Sequence, residues 1–353
     1  MRDSLIQAYL PLVIWVGLGA GLGQFLPPAF PRLLGRSLYW VGIPLEIFAL
    51  ARQTPFAQGT GLAPLYTVVS LGLGLGLALV GLGVVRSLSS ATAAAPGVTA
   101  PGVTAPAAVS ALSLLPPEQT VDAGTAPLTW ADRPRQGSFV LCAMLGNTGF
   151  VGLAIVPTLV SGPYLGWAVF YSVTQNVVGT YGLGVFLASW FGRGGQAQSR
   201  WQQLRDVVTV PSLWAFALGS ASQAWGGPPL VETALRRSVW LVIPVALVLM
   251  GLRLSQLQGW RSLQPALVPA SLKVLVLPAA VGGVALGMGL PRDAALVLVL
   301  MAGMPSAFAG LILAEEYGLD RELTAASIAL STGALLLTIP LWLMVFGVGR
   351  FGG

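Results

Sequence analysis

The sequence predicts an all-α polytopic membrane protein: ten transmembrane helices as two inverted five-helix repeats, with helices 4 and 9 discontinuous and crossed. Three observations predict it. Of 353 residues, 55% are hydrophobic and only 8% charged, and mean hydropathy is +0.79. The apolar residues gather in segments of about 20, the length that crosses a bilayer as a helix. Two polar phrases, GNTGFVGL at 146–153 and MPSAFAGL at 304–311, interrupt apolar runs and echo each other across the chain.

Composition removes several function classes. Soluble domains carry about 25% charged residues, so this chain cannot build a water-facing surface. With one cysteine and no histidine, disulfide frameworks, most zinc sites and the usual base near neutral pH are missing. No enzyme, metal or cofactor is therefore expected. A net charge of +6 raises nucleic acid as a partner, but the arginines stand singly between apolar runs, as membrane-flanking residues do. The partner expected is the lipid bilayer, with no nucleic acid. The first apolar run, Tyr9 to Phe25, is read as a first span rather than a secretory signal, because the hydrophobicity continues beyond it.

Taken in order, the spans fall at 8–26, 37–54, 65–86, 138–160, 164–190, 209–226, 234–254, 269–288, 293–316 and 324–348, with nine or eleven also compatible. Glu46 interrupts the second, and Ser220, Ser222 and Gln223 the sixth. Between the third and fourth, residues 87–136 are rich in Ala, Pro, Thr, Ser and Gly and carry the tandem phrase PGVTAPGVTAP from Pro96 to Pro106. Such a segment has nothing to pack and reads as a low-complexity cytoplasmic loop. With this layout, twelve of the eighteen Lys and Arg, Lys273 among them, lie in loops on one side. The positive-inside rule makes that side cytoplasmic and both termini non-cytoplasmic, in the plasma (inner) membrane.

The halves overlay. YLPLVIW and TVPSLWA align 200 residues apart, as do VGIPLEIFAL and LVIPVALVLM; the echoing phrases align at 158, and the difference of 42 falls on the low-complexity loop. The expected organisation is a first repeat of 1–86 and 137–190, with 87–136 inserted, a cytoplasmic loop at 191–208, and a second, inverted repeat at 209–353. An odd number of spans per half inverts the second half, the design of many secondary transporters, whose broken helices meet near the bilayer centre. Gly146 and Gly149 permit unwinding; Gly303 and Pro305 shape the second break, since proline lacks an amide donor and clashes with the previous turn. Such breaks are tolerated only where they face protein or a water-filled cavity.

These phrases identify a resemblance. NTGFVGL (147–153), YSVTQNVVGTYGLG (171–184), VTVPSLWAFALG (208–219), IPVALVLMGLRL (243–254) and MPSAFAGLILAEEYGLDRELTAASIALST (304–332) resemble the auxin efflux carrier family of membrane transport proteins, in its prokaryotic, PIN-like permease branch. The resemblance implies a carrier with a scaffold of helices 1, 2, 6 and 7 and a transport bundle of helices 3–5 and 8–10. It also implies a fold like that of sodium/proton antiporters or bile-acid transporters, organic-anion substrates, and a homodimer through the scaffold. This chain departs from the plant carriers in placing its longest loop between spans 3 and 4, and in having a proline at only the second break.

The candidate substrate-binding residues are Asn147, Thr148, Gln175, Asn176 and Ser306. Asn147 and Thr148 stand at the first break, Ser306 at the second. Gln175 and Asn176 lie inside a span, where amides facing hydrocarbon are costly. Glu46 is the candidate for ion coupling, as a carboxylate inside a span. The function expected is a secondary transporter moving a small organic anion, auxin-like or a mono- or dicarboxylate, by alternating access. The alternative is a sodium- or proton-coupled carrier of another solute with the same design.

Overall fold

The computed structural model describes residues 2–27, 29–53, 61–94, 128–160, 164–192, 201, 208–209, 211–225, 227–255 and 263–347, and its regular elements are helices. In chain order these are α1 (Arg2–Leu22), α2 (Phe30–Ser37), α3 (Ile43–Gln53), α4 (Leu62–Ala94), α5 (Arg133–Met144), α6 (Leu153–Leu159), α7 (Leu165–Thr174) and α8 (Val185–Phe191). Then follow α9 (Pro211–Ala221), α10 (Pro229–Leu254), α11 (Leu267–Ser271), α12 (Leu277–Gly287), α13 (Arg292–Ala302), α14 (Phe308–Tyr317) and α15 (Arg321–Phe346). Wider, π-helical turns occupy Leu38–Gly42, Thr148–Gly152, Gln175–Gly184 and Leu272–Val276.

The all-α character holds, but the expected ten transmembrane helices in two inverted five-helix repeats, of sodium/proton antiporter or bile-acid-transporter type, do not. Among the described residues four helices are long and apolar enough to cross a membrane: Leu62–Ser90, Pro229–Arg253, Gln264–Gly287 and Arg321–Phe346. A shorter apolar helix covers Val13–Leu22. The windows expected at 138–160 and 293–316 are divided by non-helical residues, and those at 37–54 and 164–190 carry π turns. The reason is physical: hydropathy sums side-chain polarity over a window, while helix continuity depends on the backbone, which glycine, proline and local polar groups redirect. Helix α4 runs on to Ala94, past the expected boundary at 86; residues 95–127, most of the predicted low-complexity loop, lie outside the described residues.

Packing follows small residues. On α4, Ala63, Thr67, Ser70, Ala78 and Leu82 are buried, while Leu65, Val68, Leu79, Val80 and Val84 are exposed. A Cβ at Gly74 would stand 3.4 Å from the Met144 Cα, so the small face lets α5 approach closely. The exposed apolar face suits lipid. Helices α1 and α10 meet at paired glycines: a Cβ on Gly19 would run into the Val248 carbonyl oxygen, and one on Gly251 into that of Val16. Gly219 brings α9 similarly close to α3, where a Cβ would stand 2.7 Å from the Phe48 carbonyl oxygen. Arg52 ties the end of α3 to the start of α10, bonding Glu232 (Nε to Oε1, 2.7 Å) and the carbonyls of Ser222 and Trp225 (2.5 and 2.6 Å).

The two helices leading into the interruptions are the most enclosed. Helix α13 is buried at every position from Ala294 to Ala302, and α5 from Gln136 to Met144. A helix apolar all round belongs in the interior. At the entrance to α5, Asp132 accepts from the Thr129 amide (2.5 Å) and hydroxyl (2.8 Å), which hold its exposed carboxyl below the usual carboxylate range. Helix α14 ends on Gly318, whose φ of 70° few other residues adopt readily. The chain then turns directly into Asp320, whose Oδ1 caps α15 by accepting from the Leu323 amide at 2.9 Å.

Candidate functional site

Both echoing phrases stop their helices, and they stop against each other. Helix α5 gives way to extended backbone at Leu145, and the chain around Pro305 to Ala307 is extended too. There the two segments form a single antiparallel bridge between Gly146 and Ser306. The Asn147 amide donates to the Pro305 carbonyl at 2.7 Å, and the Ala307 amide donates to the Leu145 carbonyl at 2.9 Å. The break thus leaves these backbone groups satisfied inside the apolar core, as burial requires. Beyond Asn147 the chain resumes as a π turn, with the Asn147 carbonyl accepting from Val151 (3.3 Å) and Gly152 (3.1 Å).

Both donors of Ser306 hold this crossing. Its hydroxyl donates to the Cys142 carbonyl at 2.8 Å, and its amide donates to the Ser331 hydroxyl oxygen at 3.0 Å. Ser331 in turn donates to the Ser327 carbonyl at 2.6 Å. A polar seam continues to the α15 entrance: Ser138 donates to the Asp320 carbonyl (2.8 Å), and Thr324 lies 3.0 Å from the Ser138 hydroxyl.

Beside the crossing lies a narrow cleft of about 20 Å³, room for roughly one water molecule, lined by Glu46, Asn147, Asn176, Tyr181 and Phe308 among others. Gly146 and Gly149 form part of its wall. Glu46 is 3% exposed, and its Oε1 has no hydrogen-bond partner. A Cβ on Gly149 would stand 3.2 Å from the Asn176 Nδ2 and 3.8 and 3.9 Å from the two Glu46 carboxylate oxygens. The missing side chain at Gly149 keeps open the space between amide and carboxylate.

The structure therefore gathers Gly146, Asn147, Gly149, Asn176 and Glu46 at one cleft. Thr148 is buried next to it, and its hydroxyl lacks a partner. Gln175 is buried in the same π turn as Asn176 but does not line the cleft, and neither does Ser306. Gly303 and Pro305 also stand outside the lining; Gly303 closes α13, packed against Pro278.

One residue escaped sequence reasoning. Lys273, expected among loop cations, sits in the π turn Leu272–Val276 and is 1% exposed. Its ammonium donates to the Ala302 carbonyl at the end of α13 and faces Gly146, where a Cβ would stand 3.0 Å from Nζ. A signal existed: Lys273 is the only lysine in the chain, every other basic residue being arginine. Among the described residues, no group of three or more His, Cys, Asp or Glu is placed to hold a metal ion.

Residues 239–343 match the family described as "Membrane transport protein". Two relatives are similar over more of the chain. An uncharacterized transporter of Methanothermobacter thermautotrophicus is 28% identical over 228 residues, covering 63% of this chain and 74% of the relative. An uncharacterized transporter of Methanocaldococcus jannaschii is 27% identical over 211 residues, covering 58% and 67%. The similarity to membrane transport proteins is distant and partial. The names of the family and of both relatives denote transporters, not enzymes.

Proposed function

We propose that the protein is a secondary transporter carrying a small organic anion, auxin-like or a mono- or dicarboxylate, across the plasma membrane by alternating access. The observation that carries this reading is the cleft beside two interrupted, bridged helices, where the Asn147 and Asn176 amides face space that Gly149 keeps open. Interrupted backbone deep in a membrane protein is tolerated where it is buried in protein or lines a water-filled cavity, and secondary transporters place their solute sites at such breaks. The resemblance to auxin efflux carriers supports a carboxylate as the solute. Asn147 and Asn176 donate to it, Thr148 adds its unpartnered hydroxyl as the cleft widens, and Gln175 supports Asn176. Ser306, with Gly303 and Pro305, braces the crossing.

Glu46 faces this same cleft, and a carboxylate repels an anion only a few ångströms away. In this reading Glu46 takes up a proton as the anion binds, so that the two charges travel together. Among the described residues, the Tyr181 phenol lines the same cleft and the Lys273 amine lies behind Gly146. The glycine-locked helices α1, α3, α9 and α10 form the static body, and the elements around the crossing form the moving one.

The test places purified protein in liposomes on a solid-supported-membrane electrode. It offers monocarboxylates, dicarboxylates and indole-3-acetate, with and without pH and sodium gradients. One anion is expected to give a current in the wild type that Asn147→Ala reduces about tenfold or more, the loss of a hydrogen bond to a charged group. Folded protein that passes no anion overturns the reading. The unpartnered Glu46 carboxylate favours one second reading, a cation- or proton-coupled carrier of another solute, and currents with amines or neutral solutes alone would establish it.

A further inference from the structure

The Lys273 amine is buried, with no carboxylate bonded to it among the described residues. Burying an ammonium is costly unless a negative group compensates it. Here the compensation comes from backbone. Helix α13 ends at Ala302, whose carbonyl accepts from the ammonium, and α5 ends one residue before Leu145 and two before Gly146, which the ammonium faces. A helix C-terminus carries roughly half a negative elementary charge, so two of them amount to about one. One ammonium balances two such ends. The glycine at 146 is then explained by contact as well as by conformation, because any side chain there would press on Nζ.

We infer that the Lys273 ammonium is a resident cation of the crossing, seated where a coupling metal cation would otherwise satisfy the ends of α5 and α13, so that transport needs neither sodium nor potassium. The transport half rests on the reading proposed above; the charge half rests on geometry alone. Lysine suits the place better than arginine, being a compact point charge that reaches one carbonyl from a narrow stem, where a guanidinium needs a planar fork of acceptors. That agrees with the chain's use of lysine only here.

The test is chemical rescue. Thermal unfolding of the full chain in detergent and anion flux in liposomes are measured in choline, sodium, potassium and ethylammonium chloride, for wild type and Lys273→Ala. Wild type is expected to unfold and transport alike in all four salts. In choline, Lys273→Ala is expected to unfold at a lower temperature and to lose flux about tenfold or more. Ethylammonium, filling the space left by the side chain, is expected to raise the variant's unfolding temperature by about 3 °C or more and leave wild type unmoved. A variant as stable as wild type in choline, or one that ethylammonium does not shift, overturns the inference, as does wild-type flux that requires sodium. If Lys273→Ala yields no folded protein, Lys273→Arg and Lys273→Met decide. A methionine variant that unfolds below the arginine one supports a required charge, and a methionine variant as stable as wild type overturns it. The melting measurement needs no transported solute, so failure of the organic-anion reading leaves it intact.

Discussion

At Glu46 the decisive question is what a carboxylate does in a cleft meant for an anion. Its Oε1 is buried without a partner, and Asn176 stands across the space that Gly149 leaves open. If the proton enters with the anion, wild-type flux rises as the loading side is made more acidic and falls as alkalinity strips the proton from Glu46. Glu46→Gln holds a neutral amide in place of the protonated acid. Its flux is expected to vary less than about twofold between pH 5 and 8, against tenfold or more for wild type, one decade being about 1.4 kcal/mol. Flux recorded as a function of pH at fixed anion concentration checks this; a parallel slope for both proteins removes Glu46 from coupling. Asn147, Asn176 and Glu46 were legible as candidates because polar groups amid apolar neighbours are conspicuous. Lys273 was not, because a lysine near the end of an apolar window looks like a flank. Its depth is set by the π turn that carries it, which hydropathy does not register. Nor could the sequence reveal that both donors of Ser306 are engaged, by Cys142 and Ser331.

Between elements, the contacts that decide packing are those where two backbones touch. Gly19 and Gly251 bring α1 and α10 together with no room for a Cβ on either. Gly251→Leu is therefore expected to separate these helices and destabilise the protein by about 1–3 kcal/mol or more, the cost of overpacking. Thermal unfolding in detergent measures it, with Gly83→Leu as the control, since a Cβ at Gly83 meets nothing within 4 Å. If the two variants unfold alike, the close approach does not hold α1 and α10 in place. The same scale explains where the sequence misled. Apolar windows at 138–160 and 293–316 look like single helices, yet each contains an extended step or a π turn that no running average sees. The glycine and proline signals did mark both interruptions, so the breaks were readable while the count of continuous spans was not.

The molecule as a whole reverses the usual relation between exposure and tolerance. Leu336, Leu337, Leu341 and Met344 project from α15 at 41–78% exposure, while Leu335 and Ile339 on the same helix are buried. In a water-soluble protein an arginine at such an exposed site would be nearly neutral. Here the surrounding medium is hydrocarbon, and Leu337→Arg is expected to cost about 2.5–3.5 kcal/mol of insertion near a helix centre. The membrane-integrated fraction, compared with Leu337→Ala in the same cells, reads this out; equal integration would mean that this face of α15 meets water or a partner. Composition alone announced this surface, because 8% charged residues leave nothing else to present.

The bridge between Gly146 and Ser306 also bears on how the two phrases can drift over generations. Asn147 supplies an amide hydrogen to Pro305, whereas Pro305 supplies only its carbonyl. Position 305 accepts an imino acid at no loss to the rung, and position 147 cannot, since a ring nitrogen there would leave the Pro305 oxygen stranded. A proline at 305 opposite an asparagine at 147 is thus compatible with both hydrogen bonds of the bridge. Each segment donates once and accepts once, at 147 and 145 on one side and at 307 and 305 on the other, so a proline costs the bridge nothing at either acceptor position and breaks it at either donor position.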